Sequence, residues 1–474
     1  MSDYTGGTKK YLSVGAAAGL LGYAIAIGGG ILTQIIIARS IDIADFGIYS
    51  LVTTLTFLGA IVLRCGLHGF AVRRLARLSS GDDLSEVYAE ARKIATISIV
   101  IAGAALPLLG LVCLPLVNRV FLDGRLGHGT QWVVAVTICF EAVRLVFSEA
   151  FRGLHRQVAA TLLGNAGRTV LIVAAVVTAV AIAQGLDLTT TLALVLAASA
   201  LTALIGGLAL WVRTAQPAGF MPTLQTRYTL QAIRGGAPFL LTELSTFALA
   251  VGDVLVVGLI GTHEDVAIYA AASRAAAMLA VPAYVLVGLL NPVISTAWAR
   301  GETDRLERTL RLCLTAALVP TVCALTVVVL FGGEILALLF GEPYSRGAVF
   351  ILVLAVGAAV NAIFGMGFQV LMQCGRARVA TAVTIAFSAA TFLGQLVLAQ
   401  VWGVRGVAIA SASGVILQQL TLVVICARLT GIWAFPGDLR RPARLDAASR
   451  RPAARPTTYS ERLTRPDPGP PEAP

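Results

Sequence analysis

Charge is scarce in this chain. Only 13% of its 474 residues are Asp, Glu, Lys or Arg, 57% are hydrophobic, and the mean hydropathy is +0.84. A soluble domain carries roughly 25% charged residues, so a water-solvated globular protein is excluded and an integral membrane protein is expected. Acids are scarcer than bases, 25 against 36, giving a net charge of +11. The Arg residues fall in short loops between apolar runs and in the tail, the pattern of the positive-inside rule, so no nucleic-acid partner is expected. Cysteines are few and odd in number, seven, and none forms C-x-x-C; the four His show no metal-ligand spacing. A disulfide frame, a zinc site and any other metal or cofactor are therefore not expected. A cleavable leader is not expected either. Lys9 and Lys10 precede about 25 mostly apolar residues, too long for a signal-peptide core, and these read as a retained first span.

What is present is a series of apolar runs near the roughly 20 residues a helix needs to cross the hydrocarbon. Twelve are expected, at 13–37, 47–70, 94–117, 131–150, 159–184, 191–212, 236–260, 266–290, 312–331, 346–371, 379–401 and 404–427. No loop between them is long enough for a folded domain. With the N-terminus inside, the inner segments hold nineteen Lys and Arg and the outer loops five (Arg39, Arg119, Arg125, Arg346, Arg405). Both termini are thus expected in the cytoplasm, and an even number of spans follows.

An internal echo divides the chain. Asp45, Ile48 and Tyr49 recur 220 positions later as Asp265, Ile268 and Tyr269, each set between two apolar runs, and both Asp residues stand where an N-cap is expected. Loop RRLARLSSGDDLSEVYAEARK corresponds to ARGETDRLERTLR, and FRGLHRQ to QCGRARV. The expected organisation is a first lobe at 1–213, a polar cytoplasmic linker at 214–234, a second lobe at 235–428, and a disordered, basic Pro/Arg-rich cytoplasmic tail at 429–474 whose charge suits anionic lipid. Six spans per lobe keep the same orientation, so the repeat is parallel.

Charged residues inside spans are costly and are functional candidates by default. On the fourth run Thr137, Glu141, Arg144, Ser148, Arg152 and His155 share one helical face. That face reads either as a cavity wall or as a buried ion pair of Glu141 with Arg144. The seventh carries Glu243, Thr246 and Asp253 on one face; either acid could couple a proton or sodium ion, or pair with an Arg on a neighbouring helix. Arg64, Arg168 and Arg274 complete the set. Several Arg facing a cavity suit an anionic ligand, phosphate or pyrophosphate above all, because the guanidinium offers paired donors.

ARSIDIADFGIYSL (38–51) resembles the a-r-x-l-x-x-x-d-F-G-x-Y signature of the Wzx-type polysaccharide flippases, within the multidrug/oligosaccharidyl-lipid/polysaccharide transporter superfamily. LLFGEPYSRGAVFILVL (338–354), NPVISTAWARGETDRLERTLR (291–311) and WGVRGVAIASASG (402–414) are similar to its later landmarks. The resemblance implies an all-α polytopic fold, MATE-like, with about twelve transmembrane helices in two six-helix lobes around a central cavity. It implies translocation of a polyprenyl-pyrophosphate-linked glycan from the cytoplasmic to the outer leaflet of the inner membrane. It implies contacts with the lipid bilayer and with the polysaccharide-synthesis machinery, and no catalytic residues. The expected cavity residues are Arg64, Glu141, Arg144, Ser148, Arg168 and Arg274, with Glu243 and Asp253 for ion coupling. The competing reading is a cation-coupled multidrug exporter of the same superfamily, which would favour acids over Arg in its cavity. A membrane-bound polymerase or glycosyltransferase would need a larger extramembrane loop than any here.

Overall fold

The computed structural model describes residues 22, 24–79, 84–183, 186–212 and 226–436, and every element among them is helical. The first half contains α1 (Ala24–Ser40), α2 (Ile43–Leu63), α3 (Leu67–Leu78) and α4 (Leu84–Leu108), which runs through a π turn at Leu109–Cys113 into α5 (Leu114–Phe121). It continues with α6 (His128–Gly153), α7 (Gln157–Leu163), α8 (Asn165–Ala183) and α9 (Leu188–Val212). The second half contains α10 (Thr226–Ala250), α11 (Gly252–Ile260), α12 (His263–Ala277), α13 (Val281–Ala299) and α14 (Thr303–Phe340). It ends with α15 (Ala348–Phe364), α16 (Met366–Gln373) and α17 (Ala377–Thr430). A helix overlies part of each of the twelve apolar runs. Among the described residues, by length and composition, seven helical stretches qualify to cross a bilayer, or eight if the bent pair α10–α11 is one span.

The breaks have local causes. The π turn follows Pro107, whose ring lacks an N–H and crowds the carbonyl four residues back. In α17, Gly403 adopts φ 58°, ψ −141°, a conformation essentially reserved for glycine. Gln395 before that break donates to Ser411 after it (2.9 Å), and Gln418 donates to Thr384 (3.3 Å), so the two arms of α17 pack as an antiparallel hairpin. Between α10 and α11, Val251 leaves the helical region (φ −149°, ψ 0°) and the axes bend by 55°.

The repeat survives in the helix starts, with one correction. Asp45 and Asp265 are not N-caps. Asp42 caps α2, its Oδ2 accepting from Ala44 N at 3.1 Å, and Thr262 caps α12. Asp45 and Asp265 both stand at the third helical position, where Asp265 closes a capping box with Thr262. Asp42 and Thr262 are also 220 positions apart, so α2 and α12 begin in one register, and the two helices pack against each other.

Two boundaries differ from expectation. Within the expected linker 214–234 the chain is helical from Thr226, and Tyr228 OH donates to Glu90 (2.8 Å); residues 213–225 lie outside those described. The expected tail is part of the fold up to Pro436. Gly431 ends α17 in the left-handed region (φ 74°), Ile432 and Ala434 are fully buried, and the Arg311 guanidinium lies 5.2 Å from the Phe435 ring centre. Apolar side chains in that hexapeptide account for the difference; residues 437–474 lie outside those described.

Among the described residues, three apolar cores organise the packing. The largest joins the halves at the end that carries Asp42, mixing α2, α5 and α6 with α12, α14 and α15. A second belongs almost wholly to the first half, on α3, α4, α6 and α7. The third belongs to the second half, on α13, α14, α16 and α17 with Ile432 and Ala434. Halves that share a core at one end and own separate cores at the other leave room between them. On one side this room is closed by α3 against α10: Arg73 donates to Gly235 O (2.9 Å) and stacks over Phe239 (4.3 Å).

Candidate functional site

The Asp42 end is sealed by two of the stretches that carry the family resemblance, 38–51 and 338–354. Phe46 meets Tyr344 edge-on at 5.9 Å and Phe340 at 6.5 Å between ring centres, and those two rings lie 5.7 Å apart. Arg39 Nε donates to Leu339 O (2.9 Å), and a second guanidinium nitrogen donates to Leu338 O. Gly47 allows the backbone of the other half to approach, because a Cβ there would collide with His263 O.

Below this seal lies a cavity of about 1110 Å³. It runs from Tyr49 near the seal to Arg152 and Gln157, both exposed, at the opposite end. Its walls come from α1, α2, α6, α7 and α8, with Val251, Arg274 and Asn291 from the second half. The α6 spacing places Glu141, Arg144, Ser148 and Arg152 on that wall together with Leu145 and Glu149. His155 is not part of the face: α6 ends at Gly153, and His155 sits in the following turn at φ 57°.

Glu141 is the hub of the wall. Its Oε2 accepts from Arg144 Nη2 (2.7 Å), and its Oε1 accepts from Ser199 Oγ (2.5 Å) and lies 2.5 Å from Arg168 Nε. Arg144 is 1% exposed and also donates to Leu163 O and to Asn165 Oδ1, both at 3.1 Å. Ser148 Oγ donates to Ala160 O (2.8 Å), fixing α7 against α6. Arg168 donates to Ser199 Oγ (3.0 Å) and keeps 24% of its side chain exposed. Glu149 and Arg152 pair at 2.8 Å. Arg274 is half-buried and makes no hydrogen bond or ion pair with a described residue. Among the described residues four Arg and two Glu line the cavity, so this part of its wall carries surplus positive charge.

The structure brings together Glu141, Arg144, Ser148, Arg168 and Arg274, and leaves the other three candidates outside the cavity lining. Arg64 and Glu243 find each other: Arg64 Nε donates to Glu243 Oε2 (3.0 Å), a second guanidinium nitrogen bonds Oε1, and His68 Nε2 lies 3.5 Å from Oε1. This pair ties the end of α2 to α10 and so links the halves. Asp253 is buried at the start of α11, where its Oδ2 accepts from Tyr269 OH (2.7 Å) and its Oδ1 from Val254 N (2.9 Å). The expected common face of Glu243 and Asp253 assumed one unbroken helix; the 55° bend at Val251 separates them. Sequence reasoning missed Ser199, Asn165, Glu149 and Asn291. Lone neutral polar residues such as Ser199 and Asn291 leave no stripe to read, whereas Glu149 had a signal that went unread, its i, i+3 spacing to Arg152.

These features define a polytopic helical membrane protein whose two halves enclose a cationic cavity, sealed at one end. Residues 14–298 match the family model of polysaccharide biosynthesis proteins, and the chain belongs to that family. A probable low-salt glycan biosynthesis flippase of Haloferax volcanii, Agl15, is 23% identical over 163 residues; the match spans 34% of this chain and 34% of that protein. Solved membrane transporters share this fold. An inward-facing multidrug resistance MATE family transporter superposes with a TM-score of 0.68 at 18% identity, over 85% of this chain and 93% of its own. The lipid II flippase MurJ, in an inward closed conformation, superposes with a TM-score of 0.66 at 13% identity, over 85% and 86%.

Proposed function

We propose that the protein flips a polyprenyl-pyrophosphate-linked oligosaccharide from the cytoplasmic to the outer leaflet of the cell membrane, for surface polysaccharide assembly. The observation that carries this reading is the surplus of Arg among the described residues of the cavity lining, with Arg274 hydrogen-bonded to none of the described residues. The family supports it, as do the glycan biosynthesis flippase and lipid II flippase among the similar proteins. The Arg-rich loops orient both termini to the cytoplasm, which makes the sealed end outer and the Arg152 end inner.

The physical problem is to move a sugar pyrophosphate across about 30 Å of hydrocarbon. Arg274 and the exposed edge of Arg168 hold the pyrophosphate; the sugars follow into the cavity while the polyprenyl chain stays in lipid. Rocking of the twelve-span, two-lobed body then parts Phe46 from Phe340 and Tyr344 and opens the outer end. No bond is made or broken, so the protein is a transporter and not an enzyme. Arg64 already neutralises Glu243, which makes Asp253 the stronger candidate for a coupled proton or sodium ion. The test is a deletion strain. Surface polysaccharide is expected to fall and lipid-linked glycan to accumulate, with rescue by the intact gene and not by Arg274→Gln. Normal surface polysaccharide with heightened drug sensitivity would replace this reading by a multidrug exporter.

A further inference from the structure

Two of the five Arg that the loop pattern assigns to the outer side, Arg346 and Arg405, meet in one place. A pocket of about 370 Å³ lies at the sealed end of the second half. Three separate segments wall it: Glu264 and Asp265 in the first turn of α12, Arg346 and Phe350 around the start of α15, and Trp402 and Arg405 at the break in α17. Each segment joins two apolar runs, so the pocket stands at the boundary between hydrocarbon and water. Its charges are largely unspent. Asp265 Oδ2 accepts from Thr262 N and Oγ1, both at 2.9 Å. Glu264, Arg346 and Arg405 are exposed and make no hydrogen bond or ion pair with a described residue. Phe350 packs against Tyr269 at 5.7 Å between ring centres, which fixes one wall. Trp402 is 55% exposed, and an indole at this level sits among lipid headgroups.

Single Trp and Arg residues anchor many membrane proteins at this level without forming a site. Here two guanidiniums and a carboxylate converge from three segments on one pocket. Two guanidiniums offer paired donors to a phosphate. A free carboxylate beside them suits a ligand whose phosphate is closely followed by an ammonium. Phosphatidylethanolamine has both groups. Phosphatidylglycerol has no cation, and the quaternary ammonium of phosphatidylcholine has no N–H to donate. We propose that this pocket binds the phosphoethanolamine headgroup of a phospholipid in the leaflet on the sealed side, with Arg346 and Arg405 on the phosphate and Glu264 on the ammonium. Such a site serves the surrounding bilayer and exists whatever the cavity carries.

The experiment titrates the full-length protein in detergent with one lipid at a time, acyl chains matched, and counts bound lipid by native mass spectrometry. The wild type is expected to bind phosphatidylethanolamine about tenfold more tightly than phosphatidylglycerol or phosphatidylcholine, the effect of one charge-assisted hydrogen bond. Glu264→Gln is expected to erase that preference and leave phosphatidylglycerol bound as before. Arg346→Gln combined with Arg405→Gln is expected to weaken all three lipids about tenfold or more. Its melting temperature without lipid should match the wild type, because neither side chain bonds a described residue. Phosphatidylethanolamine bound equally by the wild type and the double Arg variant overturns the site, as does a preference undiminished in Glu264→Gln. Equal binding of phosphatidylglycerol and phosphatidylethanolamine by the wild type overturns the ethanolamine assignment. A lower melting temperature of the double variant without lipid would show that the two Arg hold the protein and not a lipid.

Discussion

Arg144 and Arg274 are alike in the sequence, two lone cations inside apolar runs, yet they have opposite surroundings. Arg144 is enclosed by Glu141, Leu163 O and Asn165, so its role is to lock α6 to α7 and α8. Arg144→Ala removes one partner of a buried pair and should cost about 3–5 kcal/mol of stability. The expected readout is a lower melting temperature and loss of monodisperse protein in detergent; an unchanged melting curve would contradict the clamp. Arg274→Gln removes no bond to a described residue, so the protein should accumulate and melt as the wild type while glycan export falls about tenfold or more, the worth of a charged hydrogen bond. Helical spacing made Glu141, Arg144 and Ser148 legible as one face. Whether each cation was free or bound was not legible, because Asn165 and Ser199 come from other helices. Arg64 illustrates the same limit: its partner Glu243 lies 179 residues away.

At the scale of elements, hydropathy locates helices well and their interruptions poorly. The apolar runs all carry helix, but the break at Val251 has a β-branched residue rather than a Pro at its centre, and it moved Asp253 off the face of Glu243. The start of α2 was legible to within one turn; three consecutive positions offer Asp42, Ile43 and Ala44 before Asp45, and only geometry selects Asp42 as the cap. The α17 hairpin gives a sharp test. Gly403→Ala should cost about 1–3 kcal/mol, the strain of a side chain at positive φ. Gly394→Ala, in the same helix, would place its Cβ 3.9 Å from that of Ala410, an ordinary contact, and should leave stability unchanged or raise it by up to about 1 kcal/mol. Thermal unfolding in detergent distinguishes the two, and equal effects would refute the assigned break.

For the whole molecule, two of the four stretches that suggested the family, 38–51 and 338–354, are parts of one seal, and the cationic cavity lies beneath it. Composition alone established a membrane protein, and the 220-residue echo correctly paired the starts of α2 and α12. The seal itself was not legible, because Phe46 and Tyr344 meet only when the halves are assembled. His263 Nε2 lies 3.2 Å from Asp123 Oδ2 at the same end, joining the second half to the first. In a protein cleared of its native cysteines, Asp123→Cys with His263→Cys and a short bifunctional linker that joins thiols through disulfides should therefore lock the sealed end shut. Transport is expected to stop on linking and return on reduction; transport through the linked protein would show that this end need not open.

The central claim is that the cationic cavity carries a lipid-linked glycan across the bilayer. The most direct measurement reconstitutes the purified protein into liposomes containing a polyprenyl-pyrophosphate-linked oligosaccharide and follows how much glycan becomes accessible to an added glycosidase that cannot enter. The expected result is a protein-dependent fraction beyond the half already exposed in symmetric vesicles, and its loss with Arg274→Gln. Accessibility equal to that of protein-free liposomes, or an undiminished rate in the Arg274→Gln protein, would contradict the account.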